Sequence, residues 1–239
     1  MNRVIALAGQ KGSGKSTIAK WLIDTHRYTE VSLADKLKDV ARSLFPTLTY
    51  DACHGPSAKR EQPFTPQQVR QLVRELMAAQ TYLRLDPDGR ELLKDLFSAA
   101  PQPQAFDARD MAGMLSVAVE PLEEGFKSPR TVLQRLGTEW GRKIWDEVWL
   151  YAVRKKVTES KGESFVIADC RFANEAQYLR DNLGAQIWWV NAGDRIANRP
   201  ADNHASEPQR ADLIVYCAGE LTNTVSLAEL PSYLQRALG

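Results

Sequence analysis

The segment "VIALAGQKGSGKSTIAKWL" contains glycine, lysine and serine at the spacing G-x-x-x-x-G-K-S. Glycines let successive backbone N–H groups point at one anion, and the first turn of a helix adds its free N–H groups and positive dipole end. A lysine in this position reaches the β- and γ-phosphates of a nucleotide, and the serine hydroxyl ligates Mg²⁺. The segment therefore predicts an ATP and Mg²⁺ site formed by Gly9, Lys11, Gly12, Ser13, Gly14, Lys15, Ser16 and Thr17.

The residues on either side supply the elements that this loop requires. Val4 to Ala8 is a short apolar run typical of a buried parallel strand, and Ile18, Ala19 and Leu22 have helical spacing. The alternative is a glycine-rich turn before an ordinary helix. Strand, glycine loop and helix in this order favour the phosphate-binding loop.

Further apolar runs predict four more strands, separated by helical patterns. The predicted strands cover residues 30–33, 165–168, 185–190 and 213–217, and a closing helix covers 227–238. Prolines interrupt short helical patterns from 50 to 127, which we interpret as a helical insertion, with a mobile loop at 98–107. The chain is predicted to be one α/β domain over 1–239: a P-loop NTPase three-layer sandwich with a five-stranded, mostly parallel sheet and this insertion between strands two and three.

Asp169 directly follows the third predicted strand, at the edge of the sheet where ligands of such folds bind. Its carboxylate is a candidate to hold Mg²⁺ or to orient the attacking oxygen of a phosphate acceptor. The alternative is an N-cap for the helix that begins near Phe172. Arg171 is a candidate phosphate clamp, or simply the partner of Glu175 one helical turn later.

Arg130 is predicted to lie at the start of a helix, after Ser128 as N-cap and Pro129 in the first turn. An arginine there opposes the helix dipole, so it is a candidate anion-binding residue. Val132, Leu133 and Leu136 form an apolar stripe that Gly137 breaks, and Trp140, Ile144, Val148 and Ala152 start another. The polar segment 191–210, which contains His204, is predicted to be a lid-like loop.

The composition restricts the partners. The 239 residues include 31 Lys and Arg against 30 Asp and Glu, a net charge of +1 that gives no basic field for duplex nucleic acid. Three cysteines without a C-x-x-C pair favour buried thiols in a reducing compartment. Neither a signal peptide nor an apolar run of transmembrane length is present. We expect a cytoplasmic protein, with no membrane partner and with homodimer formation left open.

Several blocks together resemble the deoxynucleoside monophosphate kinases of tailed bacteriophages. The blocks are "SPRTVLQRLGTEWGR", "IWDEVWL", "VIADCRFANEAQYLR" and "HASE", and "SLADKLKDVA" looks like the acceptor-side helix of that family. They cover less than half of the chain, and residues 50–126 match nothing. Cys170 and Ala173 depart from the family's usual valine and proline, but neither change removes a charged group.

The resemblance implies transfer of the γ-phosphoryl of ATP to a deoxynucleoside 5′-monophosphate, in the host cytoplasm if the protein is phage-encoded. Lys15, Arg130, Asp169 and Arg171 would then be catalytic, with Ser16 and Asp169 on the metal side. The implied acceptor-side residues are Asp35, Lys36, Arg130, Gly137, Thr138, Trp149 and Glu175.

Two other functions remain open at this point. One is another small-molecule kinase of the same fold, such as a dephospho-coenzyme A kinase or an adenylate kinase. The other is a nucleotide-binding regulator that hydrolyses ATP slowly or not at all. A regulator needs no charged side chains directed at a transferred phosphoryl group, so the presence of Arg130, Asp169 and Arg171 argues against this function.

Overall fold

The computed structural model describes residues 2–100, 107–193, 209–222 and 229–238. The chain divides into two compact units. Unit 1 consists of Met1–Leu33 and Val153–Gly239, and unit 2 consists of Ala34–Ala152. Among the described residues, no helix combines the length and the apolar character that crossing a bilayer requires.

Unit 1 contains a five-stranded parallel sheet. The strand order across the sheet is β2-β3-β1-β4-β5, so β1 is the central strand. This arrangement confirms the predicted α/β class and the number and direction of the strands. The strands are β1 (Arg3–Ala8), β2 (Thr29–Glu30), β3 (Ser164–Cys170), β4 (Gln186–Asn191) and β5 (Gly219–Thr222).

The helices of unit 1 follow the strands and cover the sheet. Side chains of β1 and α1 are fully buried together, including Ile5, Leu7 and Ile18. A β1 that is apolar along almost its whole length is what a central parallel strand requires. The described helical elements are α1 (Lys15–His26), α11 (Ala173–Leu183), α12 (Arg210–Leu213), a 3₁₀ turn (Ile214–Tyr216) and α13 (Leu230–Leu238), and α10 (Val148–Glu159) begins in unit 2.

The predicted position of the fifth strand is wrong. The apolar run at 213–217 forms the end of α12 and the 3₁₀ turn, and Val215 in it is 72% exposed. The real fifth strand, "GELT", pairs with β4 at the edge of the sheet that the described residues form, and buries one side chain, Leu221. An edge strand tolerates polar and charged residues, whereas a short apolar run fits a helix as well as a strand.

Unit 2 is helical and has its own apolar core. Fully buried side chains such as Phe45, Leu72 and Trp140 belong to this core. The stretch 50–127 contains helices such as α5, and Ser128 and Pro129 begin α9 as predicted. Residues 101–106 of the predicted 98–107 loop lie outside the described residues. The helices are α2 (Asp35–Leu44), α3 (Tyr50–His54), α4 (Ser57–Glu61), α5 (Pro66–Leu85), α6 (Pro87–Phe97), α7 (Ala108–Val119), α8 (Leu122–Gly125) and α9 (Pro129–Arg135).

The helix changes type next to Gly137, where the apolar stripe was predicted to break. The chain continues from α9 into one stretch of π-helix, Leu136–Arg142. The close approach of Leu37 favours glycine at this position, because a Cβ on Gly137 would lie 2.9 Å from Cδ2 of Leu37. π-Helical turns are rare and are frequent at functional sites.

Candidate active site

The predicted phosphate loop lies between β1 and α1. Gly9 has φ +147°, and a Cβ there would lie 2.6 Å from the Val190 carbonyl oxygen of the neighbouring strand. Gly14 is the N-cap of α1 with φ +97°. Only glycine adopts these conformations without strain, so the pattern of glycines is a requirement of this backbone.

The Lys15 side chain folds back over this loop. Its ammonium group donates hydrogen bonds to the carbonyl oxygens of Gly9 and Gln10, the latter at 2.9 Å. Lys11, Ser16 and Thr17 are exposed, and Ser13 is buried. The loop therefore presents exposed polar residues beside the start of a 12-residue helix, an arrangement suited to phosphate.

Asp169 is brought to the same edge of the sheet by a β-bulge. Ala6 pairs with Ile167 but Ala8 pairs with Cys170, so β3 has one more residue than β1 in this interval. Bulges next to active sites change the direction of a side chain. Because β1 and β3 are adjacent and parallel, the loop after β1 and Asp169 near the end of β3 lie at the same edge of the sheet.

The Asp169 carboxylate anchors the segment that follows β2. The Ser32 hydroxyl donates to Oδ2 at 2.6 Å, and the Leu33 backbone N–H donates to Oδ1 at 3.0 Å. Asp169 is not the N-cap of α11, because Phe172 occupies that position. The interpretation of Asp169 as a helix cap is therefore wrong.

Glu175 stabilises the start of α11. Its Oε2 accepts hydrogen bonds from the backbone N–H groups of Arg171 at 2.8 Å and Phe172 at 3.1 Å, and its side chain is 4% exposed. The same turn exposes Arg171. Burial raises the pKa of the neighbouring Cys170 thiol well above its usual value, so this thiol is protonated at neutral pH. Acceptor contact by Glu175 stays a prediction.

Unit 2 contains the other predicted site residues. Arg130 forms an ion pair with Glu61, with Nη2 and Oε1 3.0 Å apart. Lys36 pairs with Asp95 at 2.8 Å, and Asp35 lies 3.7 Å from the ammonium of Lys38. The roles of Asp35, Lys36 and Arg130 toward an acceptor stay predictions.

Trp149 maintains the π-helical turn. Its indole N–H donates to the Gly137 carbonyl oxygen at 3.0 Å, and the side chain is 5% exposed. Its ring also covers Gly141, where a Cβ would lie 2.3 Å from Cζ2 of the indole. Thr138 in the same turn is exposed. The structure thus gives Trp149 a packing role, and acceptor contact by Gly137, Thr138 and Trp149 stays a prediction.

This packing predicts opposite effects for two glycine substitutions in unit 2. Gly141→Ala should destabilise the protein by ~1–3 kcal/mol, because the new methyl group must displace the indole ring. Gly113→Ala, in α7 with nothing within 4 Å of the added Cβ, should stabilise it by ~0.5–1 kcal/mol. Urea unfolding of both variants measures the difference. Equal free energies of unfolding would contradict the contact between Gly141 and Trp149.

Most of the predicted lid lies outside the described residues: 194–208, which includes His204 and Glu207. Asn191 and Arg210, which lie near the two ends of this segment, both donate hydrogen bonds to the carboxylate of Glu220. Glu220 accepts from Asn191 at 2.6 Å and from Arg210 Nη2 at 2.6 Å. Arg210 and then Asn191 lower the pKa of Glu220 through these hydrogen bonds. The lid function stays a prediction.

Sequence reasoning missed the partners of its own candidates. Ser32 holds Asp169, Glu61 pairs with Arg130, and Gly141 lies under Trp149. Ser32 stands in the "SLAD" segment singled out above, so a signal was present for it. No sequence signal marked Glu61, because it lies in the stretch that matched no known block.

The strand order, the glycine loop after the central strand and the carboxylate near the end of the adjacent strand are those of a P-loop kinase-like fold. A family model described as deoxynucleotide monophosphate kinase matches residues 3–227. The chain belongs to this family. It is therefore an enzyme of the kinase class that phosphorylates deoxynucleotide monophosphates with ATP as co-substrate.

Two viral proteins are similar to the chain. The deoxynucleoside-5′-monophosphate kinase of Escherichia phage T5 is 28% identical over 191 residues, which cover 76% of this chain and 73% of the phage protein. A protein of Acanthamoeba polyphaga mimivirus, described as a candidate deoxynucleotide monophosphate kinase, is 42% identical over 60 residues. That match covers 25% of this chain and 31% of the mimivirus protein.

Proposed function

We propose that the protein transfers the γ-phosphoryl group of ATP to the 5′-phosphate of a deoxynucleoside monophosphate, with ATP bound by the loop from Gly9 to Thr17. The observation that carries the assignment is the phosphate loop after β1 beside Asp169 at the end of β3. The products are ADP and a deoxynucleoside diphosphate. Arg130 and the acceptor-side residues of unit 2 are assigned to the monophosphate.

The loop and α1 bind the triphosphate through backbone N–H groups and the Lys15 ammonium. Lys15 interacts with carbonyl oxygens of its own loop in this structure. A triphosphate is a stronger acceptor than those neutral carbonyls, because its oxygens carry charge. Lys15 therefore turns to the β- and γ-phosphates when ATP binds.

The residues present suit Mg²⁺. Ser16 supplies a hydroxyl at the start of α1, and Asp169 supplies one carboxylate at the adjacent strand end. Mg²⁺ binds through one or two protein oxygens and otherwise keeps waters and substrate phosphates. Among the described residues, no group of three or more His, Cys, Asp or Glu side chains forms a separate metal cage. When bound, the ion neutralises charge on the β- and γ-phosphates.

The chemistry then needs positioning and charge stabilisation more than covalent help. An oxygen of the acceptor 5′-phosphate attacks the γ-phosphorus of ATP, and the bond from that phosphorus to the bridging β–γ oxygen breaks. Asp169 orients the attacking side, while Lys15 and Arg171 offset the negative charge of the migrating group. The Ser32 and Leu33 hydrogen bonds fix the direction of the Asp169 carboxylate.

A panel of phosphate acceptors tests the assignment. ADP release is measured with ATP, Mg²⁺ and, in turn, the four common deoxynucleoside monophosphates, the matching ribonucleotides, AMP and dephospho-coenzyme A. We expect deoxynucleoside monophosphates to give the highest kcat/KM. Highest activity with AMP or dephospho-coenzyme A would identify another kinase of this fold, and ADP release independent of every acceptor would identify a nucleotide-binding ATPase.

A further inference from the structure

Unit 2 contains a group of basic side chains that the mechanism above leaves unused, apart from Arg130. They come from four helices that pack against one another: α2, α3, α4 and α9. We call them the cation cluster. Its members are Lys38, Arg42, His54, Arg60 and Arg130.

Three of the members, Lys38, Arg42 and Arg60, lie around residues 50–54, which include His54, and Arg130 lies on α9, which packs against α3 and α4. The guanidinium carbon of Arg42 lies 5.3 Å from the centre of the Tyr50 ring, and that ring stacks on His54 at 4.4 Å with 10° between the planes. Burial raises the pKa of the Cys53 thiol and lowers that of His54. Lys38 and Arg42 lower both of these pKa values, and Arg60 lowers that of Cys53, so each cation lies within electrostatic range of this turn.

Three buried side-chain nitrogen atoms of the cluster lack a hydrogen-bond partner within the part of the chain that the structure describes. They are Nε of Arg42, Nε2 of His54 and Nε of Arg130. Buried polar side-chain atoms in folded proteins are almost always paired, so three in one cluster need an explanation. Together with the charge, they indicate a site that an anion completes.

Two carboxylates near the cluster are paired with lysines, while Asp39 on α2 lies within electrostatic range of Cys53 and His54 and offsets part of the positive charge. Asp35 lies 3.7 Å from Lys38, and Asp51 pairs with Lys59 at 2.6 Å. The carboxylate on Arg130 belongs to Glu61, and this pair is half-exposed, with 33% and 50% of the two side chains accessible. Exposed ion pairs are weak, so a stronger anion can displace Glu61.

We propose that the cation cluster binds the 5′-phosphate of the acceptor, and that Glu61 occupies Arg130 until this phosphate displaces it. The proposal rests on the proposed function and adds Arg42, His54, Arg60 and Glu61 to it. A monophosphate carries close to two negative charges at neutral pH and three acceptor oxygens. It therefore satisfies arginine donors better than a single carboxylate does.

Removing a cluster charge should weaken the acceptor selectively. We expect Arg42→Gln to raise the KM for the deoxynucleoside monophosphate about tenfold or more, because hydrogen bonds to charged groups are the strong ones. The KM for ATP should stay within about twofold, since the loop is untouched. The matched control is Lys59→Gln, which removes an exposed cation next to Arg60 that pairs with Asp51. Arg60→Gln tests the same cluster if Arg42→Gln does not fold.

Glu61→Gln should have the opposite effect. Without the competing carboxylate we expect the KM for the monophosphate to fall about two- to fivefold, the range that an exposed ion pair allows. An equilibrium-binding measurement without ATP separates phosphate from base: the wild type should prefer a deoxynucleoside monophosphate over the unphosphorylated deoxynucleoside, and Arg42→Gln should lose most of this preference.

The outcomes separate the two proposals. A wild-type enzyme that phosphorylates no deoxynucleoside monophosphate overturns the proposed function. An active wild type in which Arg42→Gln and Arg60→Gln behave like Lys59→Gln overturns the cluster as the phosphate site. A KM that is unchanged or higher in Glu61→Gln overturns the exchange at Arg130.

Discussion

Replacing Lys15 with alanine should lower kcat by ~10²-fold or more. The ammonium group lies on the phosphate loop, where it contacts the carbonyl oxygens of Gly9 and Gln10. Its charge follows the β- and γ-phosphates into the transition state, and electrostatic stabilisation is the largest contribution in this reaction class. The measurement is ADP release at saturating acceptor, together with the melting temperature.

Lys20→Ala is the matched control for this substitution. Lys20 lies on the same helix, α1, and pairs at the surface with Asp24 at 2.9 Å. Loss of that exposed pair should cost at most ~1 kcal/mol of stability and leave turnover unchanged. A folded Lys15→Ala protein that turns over like Lys20→Ala would contradict the assignment of the loop to ATP.

The sequence predicted the parts of the fold in which local pattern and tertiary role agree. The glycine loop specified β1 and α1 because its backbone angles admit few other residues, as at Gly9 and Gly14. Ser128 and Pro129 specified the start of α9 through local hydrogen bonding. These features depend on neighbours in the sequence, which a pattern can show.

The sequence did not show the features that a distant contact decides. "ADLIVYC" has the composition of a strand, but the sheet takes "GELT" as its edge strand. The π-helical turn at Gly137 is contacted by Trp149, 12 residues later, whose indole N–H donates to the Gly137 carbonyl oxygen. Neither the pairing of β5 with β4 nor the hydrogen bond from Trp149 to Gly137 can be predicted from the neighbouring residues in the sequence.

The candidate site shows the same limit. Asp169 was found because it follows an apolar strand, and its position depends on a bulge that pairing with β1 creates. Glu61 and Arg42 were missed because charged residues on short helices usually indicate only solvent exposure. Their significance depends on which helices of unit 2 pack together, and the sequence pattern does not contain that information.

Replacing Asp169 with asparagine should lower kcat by ~10²-fold while the KM for ATP changes by less than about threefold. Asparagine keeps an oxygen for the Leu33 N–H, and its amide can donate to the Ser32 hydroxyl, so the anchor of the β2 segment is largely retained. Only the negative charge that orients the acceptor or holds Mg²⁺ is lost. Steady-state kinetics in both substrates, with the melting temperature, measure the effect.

Ser32→Ala separates this role from a purely structural one. It removes the 2.6 Å hydrogen bond to Oδ2 but leaves the carboxylate charge in place. If Asp169 acts in the reaction, Asp169→Asn must lose far more turnover than Ser32→Ala. If Asp169 only anchors Ser32 and Leu33, the ranking reverses, because asparagine preserves the contacts that alanine at position 32 removes. Comparable turnover in Asp169→Asn and the wild type would exclude the carboxylate from the reaction centre even if ATP binding is intact.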